Sequence, residues 1–182
     1  PDLMDLRKTY HFSWRDYTLD FGRPTCIMGV VNVTPDSFSD GGRFYDHHAA
    51  AAQGEKLVAE GAAIIDIGGE STRPFSEPVT VEEEIRRVVP VIEKLAQRVS
   101  VPISIDTTKA AVARRALEAG ASIINDVSAL RFDPGIALLA AESDTLLILM
   151  HMLGKPKSMQ VLPRYENLIE EILTFLEDAV ER

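Results

Sequence analysis

From residue 26 onward, short and nearly continuous apolar runs alternate with longer stretches in which apolar residues recur every three or four positions. The runs read as strands at 26–31, 63–67, 103–106, 122–125 and 145–150. The stretches read as helices at about 47–60, 81–98, 109–119, 134–142 and 164–182. Local signals set the boundaries. Asp46 is placed to cap the first helix and Gly61 to end it, Thr80 with Glu83 forms a capping box for the second, and Gly120 stops the third. Pro90 falls inside the second helix and predicts a kink there. In the last helix Tyr165, Leu168, Ile169, Ile172, Leu173, Leu176 and Val180 fall on one stripe. Ahead of this rhythm, residues 9–14 and 17–21 alternate apolar and polar around Arg15-Asp16, which predicts a hairpin lead-in over 1–25 that Gly22-Arg23-Pro24 ends.

Strands that are apolar throughout, separated by helices, mark a parallel sheet covered on both faces. An internal echo narrows the architecture. Glu60-Gly61-Ala62-Ala63-Ile64-Ile65-Asp66 returns two units later as Ala119-Gly120-Ala121-Ser122-Ile123-Ile124-Asn125. Recurrence at every second unit is what a (β/α) barrel shows, because alternate strands fill each interior layer. An open doubly wound sheet is the other possibility, but no GxGxxG follows the first strand. The expected fold is therefore α/β, a (β/α)8 TIM barrel in a single domain over 1–182, of which the chain carries the hairpin and the first five βα units. A full barrel takes eight units and about 250 residues. The first and fifth strands are then edges to be covered by further barrel strands or by a partner, since bare apolar edges aggregate.

The formal charge of −9 and pI near 4.9 argue against nonspecific binding to nucleic acid or anionic membrane. An anionic ligand would have to be held locally, by backbone amides, a few Arg or Lys, or a metal. Cys26, the single cysteine, falls in a predicted strand, which suggests a core hydrophobe and a reducing, cytoplasmic setting. No apolar run approaches the roughly 18 residues of a membrane span.

In this architecture ligands bind at the C-terminal ends of the strands. Those ends carry Asn32, Asp66 and Glu70 with Thr72 and Arg73, Asp106, Asn125 with Asp126, and His151. Asp106 and Asn125 together offer an acceptor and a donor–acceptor pair to the edge of a flat heterocycle, and a guanidine-like N–C–N edge suits a carboxylate in bidentate fashion. Capping of the third helix through Thr107 or Lys109 is the alternative for Asp106. Met150 suits stacking on a ring or simple core packing. Thr72 and Arg73 on a Gly-rich loop suit phosphate, with a salt bridge from Arg73 to Glu77 or Glu82 as the alternative. Asn32 is a hard oxygen ligand, and magnesium commonly takes one or two protein ligands plus water and substrate phosphates. His151 reads as a residue that backs the site or lies at the core edge rather than as a catalyst, and His47-His48 as a solvated helix start.

Taken in order, MGVVNVTPDSFSDGG (28–42), DIGGESTRP (66–74), SIDT (104–107), IIND (123–126) and LMHMLGKPKSMQ (149–160) resemble the successive signatures of the dihydropteroate synthase family. The first two are highly specific, and the short ones carry weight through their order. Phe75 departs from the family, which usually has Gly after STRP, so the second loop is expected to be stiffened or reshaped.

The resemblance implies a Mg²⁺-dependent transferase that joins 6-hydroxymethyl-7,8-dihydropterin diphosphate to p-aminobenzoate. By that analogy Asn32 contacts the metal, and Thr72 and Arg73 bind the phosphates. Asp106, Asn125, Val127 and Met150 form the pterin pocket, and Phe38 and Pro74 the wall of the aminobenzoate pocket. Asp40 and Arg73 take the catalytic roles, Asp40 stabilising the pterin cation left when pyrophosphate departs. The resemblance further implies a sulfonamide target and a homodimer, with no nucleic-acid or membrane partner. The family's later signatures, an Asp, a Lys and an Arg–His anion clamp, are not found in this sequence, so the half-site is expected to bind pterin without turnover as these 182 residues alone. A pterin-dependent methyltransferase acting on a corrinoid shares the barrel and the Asp/Asn pocket, but the TPDSFSDGG loop speaks for the diphosphate-displacing enzyme. A non-catalytic pterin-binding partial barrel is the remaining alternative.

Overall fold

Five of the apolar runs pair side by side in one parallel sheet. The computed structural model describes residues 8–22, 24–34, 46–70, 78–154 and 163–182. The chain opens with an antiparallel hairpin, β1 (Tyr10–Trp14) and β2 (Tyr17–Phe21). There follow β3 (Met28–Asn32), α1 (His47–Ala59), β4 (Ile64–Gly68), α2 (Val81–Ala96), β5 (Ile103–Asp106) and α3 (Ala110–Ala119). The described chain ends with β6 (Ile123–Asp126), α4 (Gly135–Glu142), β7 (Leu146–Leu149) and α5 (Leu168–Val180). The sheet order β3-β4-β5-β6-β7 is the order of the chain. It never reverses, so the sheet has no switch point of the kind that defines a doubly wound fold. This is the barrel progression, carried through five strands.

The two faces of the sheet divide the molecule. On the outer face Val31, Ile65, Ile67, Ile103, Ile105 and Ile124 are buried against α1, α2, α3 and α4 through Ala50, Val88, Ile92, Val112, Ala116 and Ile136. On the inner face Ile64 and Ile123 are buried with Trp14 and Leu19 of the hairpin. The hairpin thus closes the N-terminal end of the strands. Trp14 Nε1 donates to the carbonyl of Ser122 at 2.9 Å. The Arg15 guanidinium donates to the carbonyls of Ala121, Ser143 and Asp144 at 2.9, 3.1 and 3.1 Å. An apolar cavity of about 440 Å³ lies between the hairpin and the inner face, bounded by Phe12, Phe21, Ile123 and Ile148. With one end closed, the polar strand ends lie at the other.

Both turns of the sequence echo end on a glycine at positive φ, Gly61 (+105°) and Gly120 (+117°), which a side chain rarely adopts. Their surroundings differ. A Cβ on Gly61 would meet nothing within 4 Å, whereas one on Gly120 would stand 2.6 Å from Ala96 Cβ. Gly61→Ala is therefore expected to cost only the backbone term, about 1–2 kcal/mol. Gly120→Ala adds the clash of α3 against α2 and is expected to cost about 3 kcal/mol or more. Thermal denaturation of the two variants checks the ordering, and equal losses would contradict it.

Several expectations are corrected. Cys26 is not in the buried strand, because the sheet begins at Met28. The half-buried thiol instead donates to the Asp20 carbonyl at 3.3 Å. His47 is not a solvated helix start. Its half-buried ring bonds to the backbone of Arg86 on α2, and burial lowers its pKa despite that bond, while His48 is exposed as expected. Arg86 lies four residues before Pro90, where α2 lacks an amide donor, and Pro90 sits inside α2 as the sequence predicts. Helix α5 starts at Leu168 rather than 164, capped by Asn167, and most of its stripe is open. Leu168, Ile169, Leu173 and Val180 are all exposed, while Phe175 meets His151 ring to ring at 4.8 Å and the Arg131 guanidinium at 4.9 Å. His151 is the core-edge residue expected. Among the described residues no helix is long and apolar enough to cross a membrane.

Candidate functional site

The strand register brings three of the expected residues into one row. Asn32 pairs with Gly68, Gly68 with Asp106, and Asp106 with Asn125. Gly68 is the gap in this row. A Cβ there would stand 3.5 Å from Asn32 Oδ1 and 3.6 Å from Asp106 Oδ2, so the two side-chain oxygens converge over it. Val127, buried, and Met150, half-buried, follow directly after β6 and β7. The Met150 amide donates to the Asp126 carbonyl at 3.3 Å, which ties the two strand ends together.

Asp106 does not cap α3. The amide of Ala110 is taken by Asp133 Oδ2 at 2.7 Å, and the amide of Lys109 by Thr107 Oγ1 at 3.3 Å. No donor among the described residues reaches the Asp106 carboxylate. Burial, then the charges of Asp66, Glu84, Asp126 and Glu70, push its pKa up to about 7. The carboxyl is therefore poised near neutrality until something supplies hydrogen bonds or positive charge.

Two groups below and beside the row were not assigned roles from sequence. Asp66, 3% exposed on the inner face, accepts from Asn125 Nδ2 at 3.2 Å. Its Oδ1 and the buried hydroxyl of Ser104, its register partner on β5, make no hydrogen bond among the described residues. Burial raises its pKa; Ser104 and Asn125 hold it down in part, Ser104 acting from outside hydrogen-bond geometry. The second group is an ion cluster. Lys109 Nζ donates to both Glu70 and Glu84, and Glu84 on α2 is only 1% exposed. Burial alone would lower the Lys109 pKa, but its bonds to the two carboxylates leave it raised. Arg87 Nη1 donates to the Gly69 carbonyl at 2.8 Å. Together these contacts fix the backbone at Gly69-Glu70, just ahead of Thr72 and Arg73. Ser104 interrupting the apolar run 103–106 was a readable signal of an inward polar position, whereas the pairing of Lys109 with Glu84 had none.

Thr72, Arg73, Pro74, Phe75, Phe38 and Asp40 lie outside the described residues. Among the described residues no three His, Cys, Asp or Glu side chains gather as a metal cluster.

The sequence matches the family model described as pterin binding enzyme over residues 28–182. This chain belongs to the pterin binding enzyme family. It is 49% identical to the dihydropteroate synthase of Synechocystis sp. over 162 residues, 89% of this chain and 56% of that protein. It is 46% identical to the Escherichia coli dihydropteroate synthase over 165 residues, 91% of this chain and 58% of that one. Among solved structures, the Yersinia pestis dihydropteroate synthase with a sulfonamide drug superposes with a TM-score of 0.85 at 47% identity, covering 95% of this chain and 62% of that chain. The Xanthomonas albilineans enzyme with 4-aminobenzoic acid superposes at 0.83 and 45% identity, covering 95% and 60%. The chain thus spans a little over half the length of the relatives it matches. Family membership and these superpositions agree with the partial-barrel reading.

Proposed function

We propose that this chain supplies the pterin-recognising half of a dihydropteroate synthase, condensing 6-hydroxymethyl-7,8-dihydropterin diphosphate with p-aminobenzoate and releasing pyrophosphate. The observation that carries the reading is the row Asn32–Gly68–Asp106–Asn125, in which no donor among the described residues reaches the Asp106 carboxylate. An ionised Asp106 accepts two parallel N–H bonds from the 2-amino and ring N–H edge of the pterin. Asn125 adds a donor and an acceptor beside it, and Val127 and Met150 border the ring.

At the opposite end of the row Asn32 fits a magnesium ion. Asn32 is an exposed residue, and its amide oxygen, a hard donor, converges with the Asp106 carboxylate over Gly68. Bound there, the ion would neutralise charge on the diphosphate. On this reading Thr72 and Arg73 hold the same phosphates, Asp40 stabilises the developing pterin cation, and Phe38 and Pro74 flank the aminobenzoate. The setting is a soluble, reducing compartment, with a second copy of the protein as partner.

Binding of the pterin diphosphate to the chain, with and without Mg²⁺, followed by chromatographic detection of dihydropteroate once p-aminobenzoate is added, tests the reading. The diphosphate is expected to bind more tightly with Mg²⁺, and dihydropteroate to form when the barrel is completed by the strands present in its relatives. These 182 residues alone are expected to bind without turnover. Failure to bind the pterin diphosphate, or methyl transfer from a methyl-folate to a corrinoid, would overturn it.

A further inference from the structure

The row below the site is apolar except at two positions. Val30, Asp66, Ser104, Ile123 and Leu146 stand in register across the five strands. A carboxylate at the second position, 3% exposed, is costly to bury, and an apolar side chain there would match its neighbours Val30, Ile123 and Leu146. The Asp66 side chain makes a single hydrogen bond among the described residues, and that bond goes to Asn125. The partner is in the row above, two strands away, because the sheet is staggered. Asp66 and Asn125 occupy equivalent places in the sequence echo, on alternate strands.

We propose that Asp66 is a positioning residue for heterocycle recognition, fixing the side-chain amide of Asn125 so that its oxygen and remaining N–H are presented to the ligand beside Asp106. An amide can present either its oxygen or its nitrogen to a neighbour, and the two faces look alike in shape. The Asp66 oxygen that faces Asn125, Oδ2, acts as an acceptor, so it selects the nitrogen. Asn125 Oδ1 takes no bond from any described residue and is left free. The ligand then meets a defined sequence of groups, the Asp106 carboxylate followed by an amide of fixed orientation. Ser104 does not replace Asp66 in this role, since its hydroxyl lies outside hydrogen-bond geometry and can both donate and accept.

The inference rests on the pterin reading above. Its test is a double-mutant cycle with 6-hydroxymethylpterin as the probe, its binding followed by calorimetry. Asp66→Asn keeps the shape but offers either an oxygen or an N–H, so the Asn125 amide is free to turn. In the otherwise unsubstituted protein this change is expected to weaken binding by about tenfold. In an Asn125→Ala background the same change is expected to cost less than about twofold, because nothing remains to be oriented. Equal losses in the two backgrounds would show that Asp66 acts on the fold instead and would overturn the proposal, as would no loss in either.

Should Asp66→Asn fail to fold, nitrogen-15 spectra of the unsubstituted protein decide the point. One Asn125 Nδ2 proton is expected to be held and well separated from the other, and a freely turning amide with averaged protons would overturn the proposal. An unsubstituted protein that binds no pterin would overturn the proposed function and this inference with it. Pterin binding with additive losses would overturn this inference alone.

Discussion

Asp106→Asn is expected to stabilise the unliganded protein at neutral and higher pH while removing most of its affinity for a pterin. In the folded protein the carboxyl titrates near 7, and in the unfolded chain near 3.8. Between those values the folded state holds the proton and the unfolded state does not, so folding is favoured below about pH 4. That contribution is lost as pH rises through 7. Replacing the acid by a neutral amide of the same shape should therefore change little near pH 4 and gain on the order of a few kcal/mol near pH 8. The melting temperature measured across that range reads the gain directly. Binding moves the other way. On the proposed reading the variant loses an acceptor for two charge-assisted bonds, and its affinity for 6-hydroxymethylpterin should fall about a hundredfold. For the unsubstituted protein, affinity should rise with pH through 7 as the acceptor ionises. An unchanged affinity, or a loss of stability at pH 8, would show that Asp106 belongs to the fold rather than to the site.

The second large effect concerns Lys109. Its ammonium answers Glu84, a carboxylate with 1% exposure, and Glu70 at the start of the second strand-end loop. Lys109→Met would leave the Glu84 charge buried without its cation, and removal of one partner from such a pair costs about 3–5 kcal/mol. Denaturant unfolding should show that loss. The double variant Lys109→Met, Glu84→Leu should recover most of it, because an apolar pair of similar volume needs no compensation for lost hydration. A near-neutral single variant, or a double variant worse than the single, would contradict the assignment. The cluster also ties helix α2 and the start of α3 to Glu70, so on the proposed reading this is the route by which a change outside the strand-end row should weaken phosphate binding.

Much of this was legible because barrels are periodic. The echo around Gly61 and Gly120 marked two glycines that both turn out to need positive φ. It also placed Asp66 and Asn125 on alternate strands, where they do meet. The row of Asn32, Asp106 and Asn125 could be read from the polar residue ending each apolar run, since strand ends in parallel sheets share one level. What could not be read was partnership across the fold. Whether Asp106 caps a helix or waits for a ligand depended on Asp133, which reaches Ala110 from 23 residues away in sequence. The burial of Glu84 depended on how α2 sits on β4, which no helical pattern specifies. Nor does amphipathicity say what covers a stripe: that of α5 was clear in the sequence, yet its residues from Leu168 to Leu173 are largely exposed. Cys26 was misplaced because an apolar run overshoots its strand by two residues, a boundary set by register rather than hydropathy.

The most direct test of the account is a crystal structure of the protein with 6-hydroxymethylpterin. The account requires the 2-amino and N3 edge of the ring to lie about 3 Å from the Asp106 carboxylate, with Asn125 bonded to the adjoining edge through its oxygen and free N–H. The hydroxymethyl group should point toward Asn32. A pterin seated elsewhere, such as in the apolar cavity under the hairpin, or seated in the site with Asp106 out of contact, would contradict it.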